Sequence, residues 1–362
     1  MMRWLIASSL RFRGHVVALA AGVLTLGITQ LPKTSVRVEA PATRERGGVR
    51  MRYLRSVSAI AGLLLILSAT ACDGDPPQAA TASETPGATS ASEAPATDEG
   101  SPAAISAKGF DPNNFDDDSA TVDNEWFPLV PGTRYVWVGR AFADDGRRID
   151  RRVVFTVTDL TKVIGGVRAV VGWDRDFNDG ELGESELIFF AQDKYGNVWH
   201  LGEYVEHWND GEFEGGRVWV VGDPEGSKAG VAMGAEPALG TSSYSQGFAP
   251  PPWFWNDLSR VSDVGVRTCV PVDCFDDALV IEEFEPRVPG AYQLKYYAEG
   301  VGNIRVGWRG PNEEEREVMV LAKFLHLSPR VLAEARAEAL ALEHRAYAYA
   351  RTQPAEPRAE DP

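Results

Sequence analysis

Between Tyr135 and Leu325 the chain passes through ten short segments dense in β-branched and aromatic residues: 135–139, 151–160, 167–173, 186–192, 197–208, 216–222, 277–284, 291–300, 302–308 and 316–325. Turn signals separate them: Asp145-Gly146, Gly165-Gly166, Asp179-Gly180, Gly196-Asn197, Asn209-Asp210-Gly211 and Pro289-Gly290. This succession restricts the fold severely. Strands joined by tight turns pair antiparallel, whereas parallel neighbours need crossovers of roughly a dozen residues, and no strand–helix–strand alternation is present. So many strands in one sheet do not lie flat. The sequence therefore predicts a mainly β domain over 108–326, an antiparallel meander rolled into a curved half-barrel or barrel.

One helix is expected after the strands, over 327–352. Ser328 can cap it and Pro329 suits the first helical position. Leu332, Ala335, Ala339, Leu342, Ala346 and Tyr349 recur at steps of three and four and form one apolar stripe. The acidic opposite face favours packing on the sheet over contact with an anionic bilayer. Residues 353–362, rich in Pro, Glu and Ala, are expected to be a disordered tail.

Within the strands, NVWHLGEYVEHW alternates strictly. On an unbroken strand Trp199, Leu201, Glu203, Val205 and His207 form the core face, and His200 and Glu206 point the other way. That split separates His200 from Glu203 and His207, which argues against zinc there. DRDFNDGELGESE (174–186) has the look of a calcium loop, but the Gly falls one place late and Ser185 stands where a bidentate Glu is needed. It reads better as a hairpin with Asp179-Gly180 at its tip. No catalytic residues, metal or cofactor are expected: no Gly-x-Ser-x-Gly elbow and no phosphate-cradling glycine loop occurs.

The segment MRYLRSVSAIAGLLLILSATAC (51–72) has Arg52 and Arg55, an apolar run and small residues before Cys72. Those are the parts of an export signal. Ending in LSATAC, the segment resembles the lipobox of bacterial lipoproteins, and the resemblance implies cleavage before Cys72 and acylation of its sulfur. Residues 1–50 then stand outside the mature chain. MMRWLIASSLRFR resembles the extreme N-terminus of heavy-metal efflux pumps of the resistance-nodulation-division family, a likeness that ends by residue 31. No porter or proton-relay region follows, so 1–50 reads as a fused remnant or as sequence upstream of a native start at Met51. Residues 73–107, mostly Ala, Thr, Ser, Pro and Glu, are expected to be a disordered tether.

Ten of the 36 basic and two of the 52 acidic residues precede Cys72, leaving 26 basic and 50 acidic side chains in 72–362, a net charge of −24. Such a chain repels nucleic acid and anionic lipid headgroups, so neither is an expected partner. The expected membrane contact is through the anchor. Cys269 and Cys274 bracket four residues rich in turn-formers, a spacing that suits a disulfide-closed loop in an oxidising compartment; no second Cys/His pair lies near enough in sequence to complete a metal site.

The motifs NEWFPLVPGTRY (124–135), AQDKYGNVW (191–199) and YYAEGVGNI (296–304) together resemble a group of bacterial envelope lipoproteins with no established reaction. That resemblance implies an exported antiparallel β-domain and no chemistry. In the loop PPPWFWND (250–257), Trp253, Phe254 and Trp255 either plug the sheet or close over an apolar cavity, where they would bind a hydrophobic small molecule or an envelope protein. Two rival functions remain: an envelope hydrolase or carbohydrate-active enzyme using carboxylates near Glu282 and Glu283, and a structural scaffold.

Overall fold

The computed structural model describes residues 109–358 apart from 144, 252 and 253. Cys72, its flanking signal, the tether and Trp253 lie outside the described residues. Two runs of antiparallel strands make up the sheet. The first contains β1 (Thr133–Phe142), β2 (Arg148–Ile164), β3 (Val167–Asn178), β4 (Glu181–Gln192), β5 (Val198–Asn209) and β6 (Glu212–Val220). The second contains β10 (Leu258–Val270), β11 (Asp273–Phe284), β12 (Tyr292–Ala298), β13 (Gly302–Arg309) and β14 (Val318–His326). Pairing of β14 with β1 joins the two runs.

Between them in sequence lie β7 (Lys228–Met233), β8 (Tyr244–Ser245) and β9 (Gly247–Phe248). The sheet order is β8-β10-β11-β12-β13-β14-β1-β2-β3-β4-β5-β7-β9, with β6 also on β5. The ladder does not close into a barrel. Its two ends are nevertheless tied by one short stretch, because Tyr244–Ser245 pairs with β10 and Gly247–Phe248 pairs with β7. The expected half-barrel is therefore the form found.

Each face of the sheet has its own core. One cluster takes residues from both runs, including Tyr135, Trp137, Val153, Phe155, Val170, Ile188, Val261, Ile281, Val306 and Leu321. Side chains from strands so far apart in the order can meet only on the concave side. The segment before β1 fills one end of this hollow: Phe127 packs against Phe190 and Tyr297, with ring centroids 5.3 and 6.2 Å apart. Asn124 fixes that plug by donating to the Gly196 and Gly234 carbonyls and accepting from the Trp126 and Phe127 amides.

The second cluster lies on the convex face of β2–β5, where Leu160, Val171, Leu187, Phe189, Leu201 and Tyr204 are covered by α1 (Pro329–Ala346) through Ala335, Ala339, Leu342 and Ala346. α1 thus packs on the sheet as its stripe predicts, although Tyr349 lies beyond its end and is exposed. Among the described residues no helix is long and apolar enough to cross a membrane.

Residues 353–358 differ from the expected frayed tail. Glu356–Pro357 (β15) pairs with Leu160 and Thr161, and Arg358 N donates to Asp159 O at 2.7 Å. The cause is a buried ion pair beneath the helix. Lys162 bonds Glu343 and the Gln353 carbonyl, while Ala355 N donates to Glu343 at 2.9 Å.

Candidate functional site

The concave face has an apolar end and a charged end, and the charged end begins in DRDFNDGELGESE. Asp179 and Gly180 both hold positive φ (51° and 91°), the geometry of a two-residue hairpin turn. The turn folds β3 onto β4 so that Asp174 opposes Glu186 and Asp176 opposes Glu184. All four carboxylates point inward, on the face that carries Ile188 and Phe190 further along β4. Like charges placed opposite each other on a sheet are destabilising. The period-two spacing D-x-D and E-x-E around a two-residue turn was the available signal, and reading the segment as a hairpin alone left it unused.

β5 adds to the same face through a bulge. Phe189 pairs with Gly202, but Phe190 pairs with His200, so Leu201 is an extra residue. Gly202 is required here, because its φ is 144° and an added Cβ would lie 2.4 Å from the Trp219 carbonyl oxygen. The bulge reverses the alternation, correcting the face assignment expected of an unbroken strand. Val198 and His200 point inward before it, and Glu203, Val205 and His207 point inward after it. His200 Nε2 consequently sits 3.2 Å from Glu203 Oε1. Glu206 faces outward and takes two hydrogen bonds from Arg345 of α1, at 2.5 and 2.9 Å.

From β6, Trp219 Nε1 donates to Glu203 at 3.0 Å, and Arg217 lies 3.4 Å from Glu184. From β2, Arg151 pairs with Asp176 and reaches Glu317, the residue before β14, at 3.3 Å. The position between Arg151 and β14 is Gly139, which presents no side chain to block the crossing. Gln293 Nε2 donates to Glu317 at 3.0 Å. Lys295 pairs with Glu283 at 2.7 Å, and Gln246, at the stitched seam, donates to Glu283 at 2.6 Å. Among the described residues, seven carboxylates thus share the hollow with three fixed cations, Arg151, Arg217 and Lys295.

Burial and mutual repulsion set the protonation states. Glu186 is only 2 % exposed, and neither carboxyl oxygen has a hydrogen-bond partner. Burial first, then the charges of Glu203, Glu184 and Asp174, push it well above the carboxylate range. Glu184 rises for similar reasons. Asp174 rises to about 7 through burial and Asp176. Glu317 also rises to about 7, with burial outweighing Arg151. Burial would raise Glu203 too, but bonds from His200 and Trp219 hold it below its ordinary value. Burial lowers His207 to about 3. Glu186, pushed up, thus sits diagonally across the β4–β5 ladder from Glu203, held down. Among the described residues no three His, Cys, Asp or Glu groups converge as a metal ion requires.

Of the residues singled out from sequence, Trp255 and Glu283 border the inner tier, and the others described lie away from it. Trp255 is 3 % exposed and packs against Trp219 (5.0 Å) and His200 (5.6 Å), so it is fixed core rather than a lid. Phe254 packs on Phe248, with the Arg287 guanidinium 3.7 Å above its ring. Glu282 and Glu283 point to opposite faces. Glu282 is buried outward between Arg260 and Arg309, while Glu283 points inward to Lys295, so the two do not form a carboxylate pair. Cys269 and Cys274 face each other at the tip of the β10–β11 hairpin and are joined by a disulfide.

The fold and its hollow define a strongly curved antiparallel half-barrel with a polar inner tier. No protein-family model matches the chain, and no curated protein does. Two solved structures are similar: a "putative exported protein with YmcC-like fold" from Bacteroides fragilis and a "putative lipoprotein" from Parabacteroides distasonis. They share 13 % and 12 % identity with this chain, at TM-scores of 0.30 and 0.31. Each alignment covers 56 % of this chain and 99 % of the other. Similarity at that level licenses no statement about what this chain binds or does.

Proposed function

We propose that the chain is an exported envelope protein, anchored by lipid at Cys72, whose half-barrel binds a ligand without transforming it. The export part is supported by the signal-like segment 51–72 together with the Cys269–Cys274 disulfide, a bond that persists in oxidising compartments. The binding part rests on one observation, the buried and unpartnered Glu186. A polar group left unmet in a folded interior costs stability, and sites keep such groups for a ligand. In its neutral form this carboxyl both donates and accepts, which suits an amide or hydroxyl group. The apolar tier around Ile188 and Phe190 suits an apolar body. An amphipathic small molecule is therefore the ligand class, in place of a wholly apolar one.

Intact mass measurement of protein isolated from its native envelope tests both parts. The expected species starts at Cys72, carries acyl chains, and under native conditions retains a small molecule. Incorporation of a fatty-acid analogue that is lost in Cys72→Ala supports the anchor. An unmarked, full-length polypeptide in the cell interior refutes it.

A further inference from the structure

The convex face not covered by α1 has the opposite charge to the rest of the chain. Along β1, Arg134, Val136, Val138 and Arg140 point outward, alternating with the inward Tyr135, Trp137 and Gly139. The register continues this row on both sides. Val136 opposes Lys323, Val138 opposes Val320 and Arg152, and Arg140 opposes Val318; beyond these, Val320 opposes Arg305 and Val154 opposes Arg175. Arg134, Arg140, Arg152, Arg175, Arg305 and Lys323 therefore share one surface across β13, β14, β1, β2 and β3.

None of the six has a carboxylate partner within ion-pair distance among the described residues. Of the outward acidic residues on these strands, Asp150, opposite Arg140 in the register, is taken by Arg148, and Asp159 by Arg336 of α1. Glu338 of α1 borders the patch near Arg175. Three guanidinium groups lie over aromatic rings, Arg152 on Phe177 (3.7 Å), Arg175 on Trp173 (4.2 Å) and Arg305 on Tyr296 (5.0 Å). Stacking supports the planar groups and leaves N–H donors for another acceptor. Between the cations runs a shallow groove of about 240 Å3 lined by Val138, Gly139, Arg140, Arg148, Val318 and Val320, with Val138 37 % exposed.

We infer that this face docks on the anionic phospholipid headgroups of a bilayer. Six unpaired cations around an aliphatic groove complement a layer of phosphates over acyl chains. A second copy is a poor occupant, because a net charge of −24 over 72–362 makes two such chains repel each other. The repulsion expected of the whole chain toward anionic lipid thus becomes an orienting force: the basic face turns toward the bilayer and the acidic remainder away. This surface lies on the other face of the sheet from the inner tier.

The test uses the full chain carrying Cys72→Ser, so that no acyl group contributes. Co-flotation is measured with phosphatidylcholine vesicles and with vesicles holding about 30 mol % phosphatidylglycerol. Anionic vesicles are expected to bind at least ten-fold more tightly than neutral ones, with the preference fading as salt rises. Replacing Arg140, Arg152 and Lys323 by Ser should weaken that binding on the order of 100-fold at low salt, about five-fold per cation. These three side chains are exposed, and an unchanged near-ultraviolet dichroism spectrum checks that the fold survives. Arg267→Ser, at the far hairpin, should leave binding intact. Equal binding of the triple variant and the parent overturns the inference. So does a dimer in light scattering that the triple variant abolishes, or preferential binding to soluble polyphosphate over vesicles.

Discussion

Replacing Lys162 by Met tests how the helix and the C-terminal tail are held to the sheet. The ammonium is buried, and its ordinary pKa is lowered by desolvation, so its charge is tolerated through Glu343 and the Gln353 carbonyl. Tyr204, Tyr347 and Phe189 surround it with ring centroids 5.3 to 5.9 Å away. Met preserves the aliphatic stem and its packing, so the change isolates the charge. Breaking one side of a buried ion pair costs roughly 3–5 kcal/mol, because the remaining charge is left uncompensated. Glu343 keeps the Ala355 N–H at 2.9 Å, which places the expected loss near the lower end, about 3 kcal/mol. For a domain of this size each kcal/mol moves the Tm by about 2–4 °C, giving a fall of about 6–12 °C. The double variant Lys162→Met/Glu343→Leu removes both charges and should recover most of that loss. Amide exchange in 353–358 should accelerate in both variants, since the tail loses the Lys162 bond to the Gln353 carbonyl in the single variant and the Glu343 bond to Ala355 N as well in the double. Calorimetry and mass-resolved hydrogen exchange read the two effects separately. A single variant within 1 kcal/mol of the parent, or a double variant costing the sum of the two singles, refutes this account of the seam.

Two further predictions concern the inner tier. The Glu317 carboxyl is raised to about 7 in the folded state against an unfolded value near 4.5, so its ionisation opposes folding as pH rises through that window. Glu317→Gln should therefore gain stability relative to the parent between about pH 4.5 and 7, by up to a few kcal/mol, and denaturant midpoints across pH that stay parallel would contradict the assignment. Glu186→Leu removes a buried carboxyl with no partner and should raise the Tm while abolishing retention of the native small molecule. Retention unchanged beside a higher Tm would mean that Glu186 serves no ligand.

What the sequence revealed and what it hid follow from one physical distinction. Period-two alternation is local, so β1–β6 and β11–β14 were legible as strands, as was the stripe that seats α1. Bulges are not local in that sense. β10 was missed because its register against β11 slips at several places and Gly265 adopts a φ of 68°, which breaks the alternation over 258–270. The same kind of interruption at Leu201–Gly202 concealed the inner face, since it alone brings His200 beside Glu203 and sends Glu206 out to Arg345. The stitch 244–248 has too few residues to show any period, yet it ties the sheet ends and carries Gln246 to Glu283. A charged interior of this kind is assembled from side chains that each look like the solvated half of an ordinary strand. Only the curvature decides otherwise: it turns D-x-D and E-x-E away from water, and with them the carboxyl of Glu186, whose two oxygens are buried with no hydrogen-bond partner.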